Sequence, residues 1–308
     1  ELYKEGLFDE AIRLDQALIG TVHSVCQRMI SKYWFYLGLA PDMGVMAEED
    51  ATYYMSQSLA DTPTDAELRQ LHRFAWNFDI RVKNGFWYSY QIDNDFWQED
   101  LKRIIAYTTN YEIADYQKSE EESVAFISQF VDKSVVLDYS AEELKAILDE
   151  HFDFLNNQRA SDTRDKRIAT LKELYRGYQN PSLAWYAKAG ELMSAIKSCG
   201  PLAARFREQA SHVWVSKKVF DEQKSYIHLI FQLVQRWREH YARFKQEKNL
   251  LDFNDMEKYM HQLMSVSAVA DEISQSFRYL FVDEFQDSSP IQVKIFDALS
   301  NLMQASYW

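Results

Sequence analysis

Between about Gly38 and Asn249 apolar residues recur every three or four positions, the spacing that puts them on one face of a helix. The clearest stripe is Tyr226, Ile230, Leu233, Trp237, Tyr241 and Phe244. It predicts a helix from about Lys224 to Lys248, roughly 40 Å long. The same spacing predicts amphipathic helices over Val124–Leu137, Ala141–Leu155, Asp162–Tyr178 and Ser182–Cys199, with breaks at Gly177–Pro181 and Gly200–Pro201. Leu7, Phe8, Ile12 and Leu14 mark the end of a further helix over residues 1–16. No repeat of fixed period occurs, which excludes a solenoid.

Three stretches leave this helical pattern. Leu18–Val22 reads as a short buried strand, with a helix from about Ser24. Asp252 or Asn254 suits the N-cap of a helix carrying Met256, Tyr259, Met260 and Leu263, after which Ser265–Ser276 reads as a linker. The apolar run Tyr279–Val282 is a candidate buried strand ending abruptly in Asp283, Glu284 and Asp287. A helix start follows at once, with Ser289 as N-cap, Pro290 at the first helical position and Gln292 placed to close a capping box. Ile291, Ile295, Leu299 and Leu302 then repeat at helical spacing.

Composition supports a helical protein with a core of its own. The chain has 308 residues, 47% hydrophobic and 26% charged, with only 8 Gly and 5 Pro to punctuate it. A net charge of -13 argues against a surface that attracts nucleic acid everywhere. Short basic groups at Arg159–Arg167 and Arg236–Lys248 alternate with acids and read as solvated helix faces. The aromatic segment from Asn84 to Trp97 can stack on bases of a single strand or pack between helices; its acidic neighbours favour packing. Cys26 and Cys199 match no metal or redox spacing and read as buried free thiols. No apolar run approaches the ~18 residues of a membrane span.

A strand whose C-terminal tip presents acids is where open α/β sheets bind ligands. Adjacent Asp283 and Glu284 suit nucleotide hydrolysis, one carboxylate holding a hydrated Mg²⁺ and the next orienting water. The alternative is a solvated acidic turn. Thr21, His23 and Ser24 fall where helical N–H groups can face a ligand, although a histidine there can also be purely structural.

Taken in order, Ile19-Gly-Thr-Val-His-Ser-Val-Cys26, Leu251-Asp-Phe-Asn-Asp-Met256 and Phe281-Val-Asp-Glu-Phe-Gln-Asp-Ser-Ser-Pro-Ile-Gln292 resemble motifs of the UvrD/RecB-like superfamily 1 DNA helicases. The first is similar to the family's T-x-H-S/G-[FL]-C, the second to D-F-x-D-L, and the third to a Walker B motif, D-E-x-Q-D. His23 to Cys26 leans toward the helicase-nuclease relatives RecB and AddA, of the exodeoxyribonuclease V kind. Asn254 and Met256 depart from the commonest residues of the second motif.

The resemblance implies a mainly α fold with a small α/β part. This is a partial RecA-like P-loop NTPase lobe with parallel strands (1–38 and 250–308), carrying an all-helical insertion (39–249). It implies ATP and Mg²⁺ as cofactors, with Asp283 binding Mg²⁺ through water. Glu284 would activate the hydrolytic water, Gln286 would sense the γ-phosphate, and Asp287 would brace the motor coupling. Thr21, His23, Ser24, Asp252, Phe253 and Asp255 would lie along the DNA path. The implied partners are single-stranded DNA, duplex DNA and a partner subunit; the implied location is a bacterial cytoplasm. The family's phosphate loop, G-x-x-x-x-G-K-[ST], occurs nowhere here. With no initiator Met and an end at Trp308, the sequence is expected to be an internal fragment, binding no ATP and lacking ATPase activity alone. Two other readings stay open: a non-catalytic helical module that binds duplex DNA or a partner subunit, and a metal-dependent hydrolase built on Asp283, Glu284 and Asp287.

Overall fold

The computed structural model describes residues 17–84, 89–110, 113, 115–194 and 200–304. In chain order the helices are α1 (Val22–Tyr33), α2 (Glu48–Ala60), α3 (Asp65–Asn77), α4 (Phe96–Asn110), α5 (Tyr116–Ser128), α6 (Ala141–Asn156), α7 (Asp162–Leu174), α8 (Leu183–Ser194), α9 (Pro201–Ser211), α10 (Lys217–Glu247), α11 (Phe253–Leu263), α12 (Ser267–Ser276) and α13 (Pro290–Met303). Among the described residues four short strands join them: β1 (Gly44–Val45), β2 (Arg81–Asn84), β3 (Ser89–Ile92) and β4 (Leu250–Leu251). β1 and β4 pair in parallel, and β2 and β3 form an antiparallel pair. The fold is mainly α with a small α/β part, as the resemblance implies.

Two compact units divide the chain, one of Glu1–Ala60, Ile104–Ala114 and Trp237–Trp308, the other of Asp61–Arg103 and Asp115–Arg236. In the second unit α6 to α9 enclose a core of Leu144, Leu148, Leu155, Leu171, Tyr186, Met193 and Phe206, all at most 2% exposed. Gly190 allows the closest packing there: a Cβ on it would stand 2.7 Å from the Ala210 carbonyl carbon. The α3 start is fixed by a capping box between Thr64 and Glu67, and Glu67 also accepts both Nη groups of Arg236, at 2.8 and 3.0 Å. That bidentate pair holds the Glu67 carboxyl well below the usual range, at about 2.

The first unit packs α1, α11, α12 and α13 around Cys26, Ile30, Met256, Met260, Leu263, Val269, Ile273 and Ile295. α10 ends where Asn249 adopts a left-handed conformation (φ 51°), which Asn tolerates. The chain then turns into β4, where Gly44 and Val45 pair with Leu250 and Leu251.

Local chemistry predicts the helix starts well. Ser289 caps α13 with Pro290 at its first position, and Gln292 closes the box; Asp252 caps α11. Gly200 and Pro201 open α9, and the long helix α10 carries the stripe from Tyr226 to Phe244.

Four expectations are corrected. Leu18–Val22 is not a strand: α1 begins at Val22 behind the Thr21 cap, and Ile19 is 63% exposed. Tyr279–Val282 is not a buried strand either. It shows a single bridge at Leu280, with Tyr279 and Phe281 78% and 77% exposed. An extended segment becomes a strand only when neighbours take its N–H and C=O groups, and no described strand runs beside either segment. The helix expected to Leu137 stops at Ser128, and Asp132 instead bridges Ser216. Ser265–Ser276 is not a linker, because Val269 and Ile273, four apart, bury one face of α12.

Within the aromatic segment Trp97 is buried and Phe96 stacks on Phe74 and Tyr226, whereas Tyr90 is exposed on β3. Residues 1–16, Phe86, Trp87, Tyr88 and Cys199 lie outside the described residues.

Candidate functional site

β4 delivers Asp252 to the start of α11. Its Oδ1 accepts the Asp255 amide N–H at 2.9 Å, and Asp255 Oδ2 accepts the Asp252 amide N–H at 3.3 Å. Lys245, near the end of α10, reaches both carboxylates: Nζ lies 2.8 Å from Asp252 Oδ2 and 2.5 Å from Asp255 Oδ2. The same Nζ sits 4.7 Å from the centre of the Tyr241 ring. The three charged side chains are only 12%, 11% and 22% exposed. Burial still raises the Asp255 carboxyl against the opposing pull of Lys245. The Tyr241 hydroxyl is raised by burial first and by the two acids next.

The first helix meets this junction from the other side of the sequence. Thr21 Oγ1 accepts the Ser24 amide N–H at 3.3 Å, and Ser24 Oγ donates to the Thr21 carbonyl at 2.8 Å. The His23 ring stacks on Phe253 with centroids 4.4 Å apart and planes 21° from parallel. His23 Nε2 lies 3.1 Å from Glu257 Oε1. The same oxygen accepts Gln292 Nε2–H at 2.5 Å. Glu257 is 5% exposed, so one buried carboxylate ties α1, α11 and α13 together. Cys26 is a buried free thiol pushed up to about 12, by burial first and by the Glu257 charge next.

The acidic turn is a different place. Asp283, Glu284, Gln286 and Asp287 are all exposed. Glu284 holds a left-handed backbone (φ 54°), and a single 3₁₀ turn, Phe285–Asp287, leads to Ser288. Its side-chain bonds are local: Glu284 N–H donates to Asp283 Oδ1 at 3.0 Å and Gln286 Nε2–H to Glu284 Oε2 at 3.1 Å. None of these acids joins an ion pair among the described residues.

The structure therefore brings His23 to Phe253, and Asp252 to Asp255. It does not bond the side chains of the turn to Thr21, His23 or Ser24 among the described residues. Sequence reasoning missed Glu257 and misread Lys245 and Arg236 as solvated. Glu257 had a signal: it stands four residues after Phe253 and three before Met260, inside the apolar stripe of α11.

No three His, Cys, Asp or Glu among the described residues converge on a metal position. Asp283 and Glu284 offer the hard oxygen donors that suit a hydrated Mg²⁺, which keeps several waters and leans on substrate phosphates. They do not by themselves fit ATP, since this sequence has no Gly-rich loop with its Lys to cradle phosphates. No described helix is long and apolar enough to cross a membrane.

Comparison with known proteins gives one family and a set of distant relatives. The UvrD/REP helicase N-terminal domain matches residues 3–305. An ATP-dependent helicase/nuclease subunit from Oenococcus oeni is 23% identical over 97% of this chain and 28% of its own length. The protein of the same name from Staphylococcus aureus is 20% identical over 95% of the chain and 27% of its own length. Another, from Alkaliphilus metalliredigens, reaches 34% identity over 28% of the chain and 7% of its own length. The chain thus spans about a quarter of the relatives it matches end to end. With its motifs in family order and the match running over nearly all its residues, this chain belongs to the UvrD/REP helicase N-terminal domain family.

Proposed function

We propose that this chain is part of the first motor lobe of an ATP-driven DNA translocase of the helicase-nuclease kind, working 3′-to-5′ in recombinational repair of double-strand breaks. Residues 1–38 and 250–308 would be lobe segments, and 39–249 the helical insertion. The observation that carries this reading is the shared carboxylate of Glu257, which joins the three motif-bearing segments through His23 and Gln292. Asp283 is the proposed Mg²⁺ contact through water and Glu284 the group that orients the attacking water. Gln286 is the γ-phosphate sensor and Asp287 its brace. Thr21, His23, Ser24 and Phe253 are assigned to the single-stranded path; Asp252 and Asp255 hold the junction beside it. The names of the relatives, each one component of a helicase/nuclease, support two kinds of partner, DNA and a second subunit; a bacterial cytoplasm is the proposed location.

The chain alone is proposed to be catalytically silent, because exposed carboxylates without a phosphate cradle bind nucleotide too weakly. Steady-state ATP turnover with and without single-stranded DNA tests this. Background rates are expected from residues 1–308, and DNA-stimulated turnover from a longer protein that supplies the phosphate loop. Robust turnover by the chain itself would overturn the assignment.

A further inference from the structure

The buried node at Glu257 has a chemical consequence for His23. An ionised carboxylate can only accept hydrogen bonds, so at 3.1 Å the imidazole must donate its Nε2–H to Oε1. Gln292 Nε2–H, which can only donate, points at the same oxygen, so Oε1 is an acceptor to both neighbours. In a neutral ring a proton on Nε2 leaves Nδ1 as a lone pair. Nδ1 has no partner among the described residues, and the side chain is 33% exposed. The stack on Phe253 fixes the plane of the ring, and the bond to Glu257 fixes which edge faces inward. We propose that Glu257 is a positioning residue that holds His23 as the Nε2–H tautomer, flat on Phe253, so that Nδ1 stands as an acceptor for a nucleobase N–H.

Phosphate oxygens offer no hydrogen to such a lone pair, whereas exocyclic amino groups and ring N–H groups of unpaired bases do. Nearby, the Ser24 hydroxyl hydrogen is committed to the Thr21 carbonyl. Among the described residues the Thr21 hydroxyl accepts from the Ser24 amide and donates to no group, which leaves its hydrogen for a phosphate. At the start of α1 exposed Thr21 and half-buried His23 thus divide the work, Thr21 toward backbone and His23 toward base. The inference rests on the DNA-facing role proposed above for His23.

Two readouts on residues 1–308 separate the inference from that role. The first is long-range ¹H–¹⁵N NMR of the imidazoles without DNA, under mildly alkaline conditions where a free imidazole is neutral. His23 is expected as a single Nε2–H tautomer in the wild type and in Glu257→Gln, whose amide oxygen still accepts. It is expected as a tautomer mixture in Glu257→Leu. An unchanged tautomer in Glu257→Leu, or a mixture in the wild type, overturns the positioning role whatever DNA does. The second readout is anisotropy of a labelled single-stranded oligonucleotide. Glu257→Leu is expected to bind about fivefold more weakly than Glu257→Gln, the loss of one hydrogen bond, although both remove the same charge. His23→Ala is expected to abolish the difference between them. Equal affinities of the two Glu257 variants overturn the base-reading half. A locked tautomer in a wild-type chain that binds no single strand overturns the DNA-facing role and leaves the positioning intact.

Discussion

The two acidic motifs of the first unit, Asp252 to Asp255 and Asp283 to Asp287, use the same residue types for opposite ends. At the junction both carboxylates are sunk beside Lys245, cap a helix and bond each other's amides. At the turn Asp283, Glu284 and Asp287 stand in water and bond only their own neighbours. A buried acid that is fully paired has little left to give a ligand. An exposed acid on such a turn contributes little to folding and keeps at least one oxygen in water for a ligand. Motif membership alone does not separate the two; burial and partners do.

The contrast is most easily broken at Lys245. Lys245→Met leaves two acids out of water without a cation, and a loss of ~3–5 kcal/mol is expected in urea unfolding. A loss below ~1 kcal/mol would place the junction acids among surface pairs. The Glu67–Arg236 pair of the other unit extends the test to pH. Its folded carboxyl is depressed to about 2, so its contribution is present above the ordinary carboxylate range and is lost as pH falls through that range toward about 2. Glu67→Gln is expected to flatten the acid limb of stability between those values while changing its neutral-pH slope little. Asp252→Asn keeps a good N-cap and removes one charge from Lys245, so an intermediate loss of ~1–2 kcal/mol is expected. At the turn, Asp283→Asn combined with Glu284→Gln is expected to shift stability by less than ~0.5 kcal/mol, in the same assay.

What could be read in advance follows the range of the forces involved. The helix starts at Asp252, one of two caps the pattern offers, and at Ser289, and the break at Gly200–Pro201, rest on residues within one turn. The stripe of α10 is equally local. Leu18–Val22 and Tyr279–Val282 failed because a strand exists only through its partners: no described strand runs beside the first, and the second makes a single bridge, at Leu280. Lys245 and Arg236 failed for a related reason. Nothing next to Arg236 signals that Glu67, far back in the chain, will take its guanidinium. Glu257 could have been found by placing α11 on a wheel, but its meaning needed His23 and Gln292, which only folding brings together.

The division between structural and available acids is tested most directly by native-state hydrogen exchange of the backbone amides in the two motifs. The Asp255 and Met256 amides, bonded to Asp252 Oδ1 and to the Asp252 carbonyl, are expected to exchange only through unfolding of the whole first unit. The Glu284 and Ser288 amides, held by bonds within the turn, are expected to exchange by local opening, orders of magnitude faster. Equal protection of the two motifs, or greater protection at the turn, contradicts that division.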